Sequence, residues 1–130
     1  MKKIYVWLLL SSCVPFAGAH EGRDGLFDQI AKQLAAGDVE ALSESFSTTV
    51  ELDLLGDEGM YSKAQATLVL KQFFERYTPK TFSFKHCSDK QSVKYAVGVL
   101  HTRDGTTFRV TVFVKEDGDL KMQQLRIEKH

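Results

Sequence analysis

The chain is poor in the residues that would staple, break or strongly charge a fold: two cysteines, two prolines, one tryptophan, and a formal net charge of zero over 130 residues. Each scarcity excludes something. With so few cysteines no disulfide framework can carry the structure, which must stand on a hydrophobic core. Seventeen basic residues are matched by 17 acidic ones. There is thus no cationic excess to neutralise a phosphate backbone and no Lys/Arg cluster interleaved with aromatics, so nucleic acid is not an expected partner. No apolar run reaches the roughly 20 residues of a membrane-spanning helix, and no transmembrane span is expected. Internal repeats, low-complexity tracts and linkers are lacking as well.

What is present begins with "MKKIYVWLLLSSCVPFAGAHEG": Lys2 and Lys3, an apolar run over residues 4–10, and the small triplet Ala17-Gly18-Ala19. This is the three-part layout of a secretory signal peptide. Cleavage after Ala19 is expected, leaving residues 20–130 as one domain of an exported, periplasmic protein. Leu10-Ser11-Ser12-Cys13 also fits the site at which bacterial lipoproteins are cut and acylated, and the alternative is a lipid anchor on Cys13 at the envelope. Pro15 and Gly18 argue against a buried helix here. Once the leader and Cys13 are removed, Cys87 is the one cysteine of the processed chain. It reads as a half-buried small hydrophobe before it reads as an interchain disulfide partner.

Beyond the leader, Leu26, Phe27, Ile30, Leu34 and Ala35 recur at helical spacing up to Gly37, which can take a left-handed cap. Asp38 offers an N-cap oxygen to a second short helix carrying Val39, Leu42 and Phe46 on one side. "TTVELDLL" alternates Val50, Leu52 and Leu54 with Glu51 and Asp53, a half-buried strand. "GDEG" is expected to turn the chain, with Met60 and Tyr61 on a short return strand. Ser62 and Gln65 have capping-box spacing, and Ala66, Val69, Leu70, Phe73, Phe74 and Tyr77 form an apolar stripe that Thr78-Pro79 stops, predicting a helix over residues 62–77. Each large side chain of that stripe contributes about 1.5–3 kcal/mol when buried, so the helix must lie on an equally apolar surface.

The rest reads as strands: "TFSFKHC", then "SVKYAVGVLHT" and "TTFRVTVFVK" joined by "RDGT", then "LKMQQLRIEK" after "EDGD". Asp-Gly between alternating runs is a strong hairpin signal. In the last strand Leu120 and Met122 have one parity and Leu125 and Ile127 the other. An extra residue near Gln123-Gln124, a β-bulge, returns both pairs to one face and coils the sheet.

The segments "LAAGDVEALSESFSTTVEL", "YSKAQATLVLKQFFERYTP", "YAVGVLHTRDGTTFRVTVFV" and "LKMQQLRIEK", in this order and spacing, resemble an uncharacterised bacterial exported family, a domain of unknown function within the nuclear transport factor 2-like superfamily of cystatin-like cone folds. The resemblance spans roughly residues 24–129. It implies an α+β fold with three helices packed on a strongly curved, mostly antiparallel sheet, in the order α-α-β-(β)-α-β-β-β-β. It implies no particular reaction, because that fold hosts enzymes, adaptors and binding modules alike. It also implies a cavity between the long helix and the concave sheet face, with Phe73, Phe74 and Phe84 nearby. A small apolar or amphipathic ligand and a homodimer formed through the open sheet face are the expected partners.

Candidate chemistry is sparse. Ketosteroid-isomerising relatives use a buried aspartate and a tyrosine, so Tyr61 and Tyr95 are pocket candidates, while Glu51 and Asp53 are read as facing water. An isomerase- or lyase-like enzyme is the alternative to a non-catalytic binding or scaffolding module, and no catalytic residue is assigned. A third class, an interaction protein, would use a flat patch around Phe113 and Leu100. His86 and Cys87 are neighbours on a strand, so they point to opposite faces and cannot close on one metal ion. His20, amino-terminal after cleavage, could chelate copper only with a second histidine. No metal or cofactor is expected. Arg109 lies on the parity of Thr107, Thr111 and Phe113. There it either grips a carboxylate ligand through its two-pronged guanidinium or pairs with Glu128 or Glu51 on a solvated face.

Overall fold

The computed structural model describes residues 21–90 and 93–130. The leader assignment over residues 1–19, its Cys13 alternative and His20 lie outside them. The elements follow the order α1 (Glu21–Ala36), α2 (Val39–Ser43), β1 (Phe46–Leu54), β2 (Asp57–Ser62), α3 (Lys63–Arg76), β3 (Pro79–Lys90), β4 (Val93–Thr102), β5 (Thr107–Asp117) and β6 (Asp119–Lys129). This is the expected α+β order with the bracketed second strand present.

Local chemistry sets the boundaries. At α2 the Asp38 carboxylate accepts the Ala41 N–H at 3.2 Å. At α3 the Ser62 hydroxyl accepts from Gln65 N while Gln65 Oε1 accepts from Ser62 N, so both halves of the capping box are made. Phe46, expected on α2, instead opens β1. The amides of Glu44 and Ser45 close the helix on Ala41 and Leu42 carbonyls, and the Ser45 carbonyl then accepts Met122 N–H at 2.6 Å, which commits the next residues to the sheet. The "GDEG" turn is also tighter than expected. Only Leu55 and Gly56 turn, both at positive φ (57° and 92°), while Asp57 and Glu58 already pair with Leu54 and Asp53. An Asp53 Oδ1 bond to Gly56 N at 3.0 Å holds that two-residue turn.

The six strands form one sheet in the order β2-β1-β6-β5-β4-β3, antiparallel throughout except where β1 runs parallel to β6. The expected bulge in β6 is present: Phe113 pairs with Gln124 and Val114 with Met122, leaving Gln123 extra, and Met122, Leu125 and Ile127 are all buried. Two more lie in β3. The register slips between Pro79 and Thr81 and again between Phe84 and His86, so Lys80 and Lys85 are the extra residues.

The helices cover one face of this sheet, α3 over β1 and β2, α1 over β3 and β4. Between them lies the core, with Ile30, Leu34, Leu42, Leu70, Leu100 and Phe108 fully buried. Phe73, Tyr77 and Phe108 pack ring against ring at 5.0–5.7 Å, and Phe73 also meets Phe74 at 5.6 Å. Among the described residues no helix is long and apolar enough to cross a membrane.

Candidate functional site

The spacing of Leu26, Gln29 and Gln33 places them on one flank of α1, beside the buried stripe of Phe27, Ile30 and Leu34. That flank faces Ala41, Glu44 and Ser45 at the end of α2 and the hairpin joining β5 to β6, from Glu116 to Lys121. Together they line a solvent-open concavity of about 520 Å³. Its far wall is fixed to the sheet, because Lys121 Nζ donates to the Glu44 carbonyl at 3.3 Å just beside the Ser45–Met122 backbone bond.

The lining mixes apolar surface (Leu26, Ala41, Leu120) with acceptors (Glu44, Glu116, Asp119). One feature of the wall is unusual: the Gln33 side-chain oxygen is buried and receives no hydrogen bond from any protein group. Such a group forfeits its water without replacement, and native folds keep few of them. Behind the lining, Lys94, only 2 % exposed, places its ammonium 3.9 Å from Glu116. The sequence carried a weak signal for this lysine, since it shares the parity of Ala96 and Gly98 on the helix-covered face. For Gln33 no periodicity marks the residue, because it lies beside the apolar stripe and not within it.

The residues singled out from sequence are dispersed. Phe74 is buried and Phe73 half-buried in the aromatic block under α3, whereas Phe84 packs against Phe27 and Phe82 under α1. None of the three lines the 520 Å³ concavity. Tyr61, opposite Val50 on the covered face, lines a separate groove of about 380 Å³ with Met60, Leu68 and Val69. Tyr95 and Arg109 lie on the open face. Tyr95 sits 5.7 Å from the Phe113 ring, and Arg109 pairs with Glu128 at 3.4 Å, the intramolecular option. Leu100 belongs to the core, so it shares no patch with Phe113.

Asp53 corrects its reading as a water-facing acid. It lies on the open face but is 8 % exposed, with Oδ2 3.3 Å from Arg126 Nε and Oδ1 on the Gly56 amide. The Arg126 Nε–H makes no aligned hydrogen bond, so the contact with Asp53 is an ion pair held by proximity. The bulge at Lys85 turns His86 onto the open face, 5.8 Å from the Tyr95 ring, and Cys87 onto the side of Ala96. The two still point apart. Among the described residues no group of three or more His, Cys, Asp or Glu converges as a metal site.

With this geometry in place the relatives can be compared. Residues 27–128 match the family model described as a domain of unknown function, DUF4783. The chain belongs to that family. Crystal structures of DUF4783 proteins from Bacteroides ovatus and Bacteroides uniformis are similar to it at 25 % and 20 % identity. Each covers 78 % of this chain, over 92 % and 94 % of their own, with a TM-score of 0.74 in both cases. An NTF2-like protein of unknown function from Silicibacter pomeroyi, 13 % identical, aligns over 88 % of this chain and 98 % of its own at a TM-score of 0.64. This DUF4783 chain therefore has the nuclear transport factor 2-like fold expected from its segments. No protein of curated function matches it.

Proposed function

We propose that this DUF4783 protein is an exported, non-catalytic binding module. Its ligand is a small amphipathic molecule held between α1, α2 and the β5–β6 hairpin. The observation that carries the reading is the buried, unpartnered oxygen of Gln33 in the wall of a 520 Å³ concavity. A ligand bearing a hydrogen-bond donor would reach that oxygen by turning the Gln33 amide out of the wall, and its apolar part would rest on Leu26 and Leu120. The carboxylates of Glu44 and Glu116 favour the same donor-bearing end.

The distribution of acids and tyrosines supports binding over catalysis. Asp53 is committed to Arg126 and a turn amide; Tyr61 stands on the other face of the sheet, and Tyr95, though on the same face, is separated from Asp53 by β6 and β5. Native mass spectrometry of protein purified from its own cell envelope tests the proposal and reports leader processing and acylation as well. The expected result is a retained small molecule that Gln33→Met loses. Equal retention by both proteins, or none by the wild type, overturns it.

A second reading, an interaction module pairing as a homodimer through the open sheet face, is favoured by the row of His86, Tyr95 and Phe113, which ends at the exposed Val93. Phe113→Lys would disperse such a dimer.

A further inference from the structure

The sheet has two edges, and they differ. The β3 edge carries blocking devices that natural sheets use against unwanted pairing: Pro79 at its start and two bulges whose extra residues are Lys80 and Lys85. The β2 edge carries no proline, no bulge and no lysine within the strand. All six of its residues pair with β1 in unbroken register.

That open edge is flanked by apolar surface on both sides. The two most exposed large hydrophobic side chains of the described residues are Met60, at 64 %, and Leu68, at 61 %. Met60 lies on the open face of β2, opposite Glu51, while Leu68 lies on α3 above the covered face. Both line the groove that also holds Tyr61 and Val69. A strand added to β2 would find hydrocarbon above and below as well as backbone partners alongside.

The sequence of the edge, "DEGMYSK" over residues 57–63, is complementary to itself when run antiparallel. With Met60 opposite Met60 of a second copy, Glu58 falls opposite Ser62, and Asp57 at the start of one strand lies level with Lys63, the first residue of α3, just beyond the end of the other. Gly59 falls opposite Tyr61, and within each chain the Tyr61 ring already covers that chain's own Gly59. No like charges oppose each other, and the acidic start of each strand lies near the lysine that follows the end of the other. We infer that β2 pairs with β2 of a second copy about a two-fold axis through Met60. The two sheets then join into one, and the two Leu68 side chains are brought together on the helix side. This inference is independent of the cavity at the other end of the fold.

Cysteine cross-linking of the full chain tests it, in a background carrying Cys13→Ser and Cys87→Ser. Met60→Cys is expected to give a disulfide-linked dimer on mild oxidation, and Val93→Cys, also exposed on the open face, is not. In sedimentation experiments on the otherwise native chain, Leu68→Lys is expected to weaken self-association at least tenfold with an unchanged circular dichroism spectrum. Three results would each overturn the inference: a wild type that stays monomeric at every concentration, equal cross-linking from both cysteine positions, or a dimer indifferent to Leu68→Lys that Phe113→Lys disperses.

Discussion

The Gln33 oxygen allows the binding proposal to be tested by stability alone. A buried acceptor left without a donor costs about 1–3 kcal/mol relative to a satisfied one. Methionine has nearly the shape of glutamine, similar helix propensity and no oxygen to desolvate. Gln33→Met should therefore return about 1 kcal/mol to protein freed of any bound molecule, the low end being taken because the cavity is open to solvent beyond the buried atom. For a domain of this size that is a rise of about 4 °C in Tm. Calorimetry and urea titration on ligand-stripped protein would measure it. The urea slope should stay constant, since the surface exposed on unfolding hardly changes. A residue kept for binding and against stability is the signature sought. If Gln33→Met proves less stable than the wild type by a kilocalorie or more, the oxygen has a donor in solution, the wall is complete without a ligand, and the site loses its main support.

Three further outcomes follow from the fold. Leu55 holds a positive φ that costs an ordinary side chain roughly 1–2 kcal/mol, so Leu55→Asn, which makes the Asn-Gly pair favoured in two-residue hairpins, should raise stability by about 1 kcal/mol in urea denaturation. Phe74, 5 % exposed and packed edge-on against Phe73, should cost about 3–5 kcal/mol when truncated to alanine, measured the same way. Asp104 accepts hydrogen bonds from the Thr102 hydroxyl and the Thr106 amide, which hold its carboxyl below the usual 3.8. The stability this confers is fully present above that value and is lost as pH falls through the lowered folded value. The acid limb of a pH–stability profile should therefore be shallower in Asp104→Asn than in the wild type.

Much of this architecture is legible in the residues because the signals are redundant. The α3 helix announces itself through a cap, a stripe and a stop together, and the structure keeps all three: Ser62 with Gln65, Ala66 with Leu70 and Phe74, and an end before Pro79. The hairpin between β4 and β5 needs only Asp104-Gly105 between alternating runs, and Gly105 takes the positive φ expected of it. Where a single weak signal stood alone, tertiary pairing overrode it. Phe46 continued the helical spacing of Val39 and Leu42, yet the hydrogen bond from Met122 to the Ser45 carbonyl drew it into the sheet.

The bulges explain why the site was harder to read than the fold. An inserted residue reverses which face every later side chain occupies, and sequence reveals it only where apolar residues stand on both sides of the slip. In β6 they do: Met122 before and Leu125 after must both reach the core, so Gln123 is forced out of register. In β3 they do not. Phe82 and Phe84 precede Lys85, but His86, Cys87 and Ser88 follow it, and reversing three residues of mixed polarity leaves no trace in hydropathy. The row of His86, Tyr95 and Phe113 therefore assembles on the open face without a periodic signature. The cavity wall is hidden for a related reason: Gln33, Ser45 and Glu116 are brought together from a helix flank, a connection and a hairpin, which no single period relates. Core residues are selected by being alike, so repetition exposes them. A binding site is assembled from unlike residues whose proximity exists only after the sheet has coiled, and here that coiling depends on single inserted residues such as Gln123.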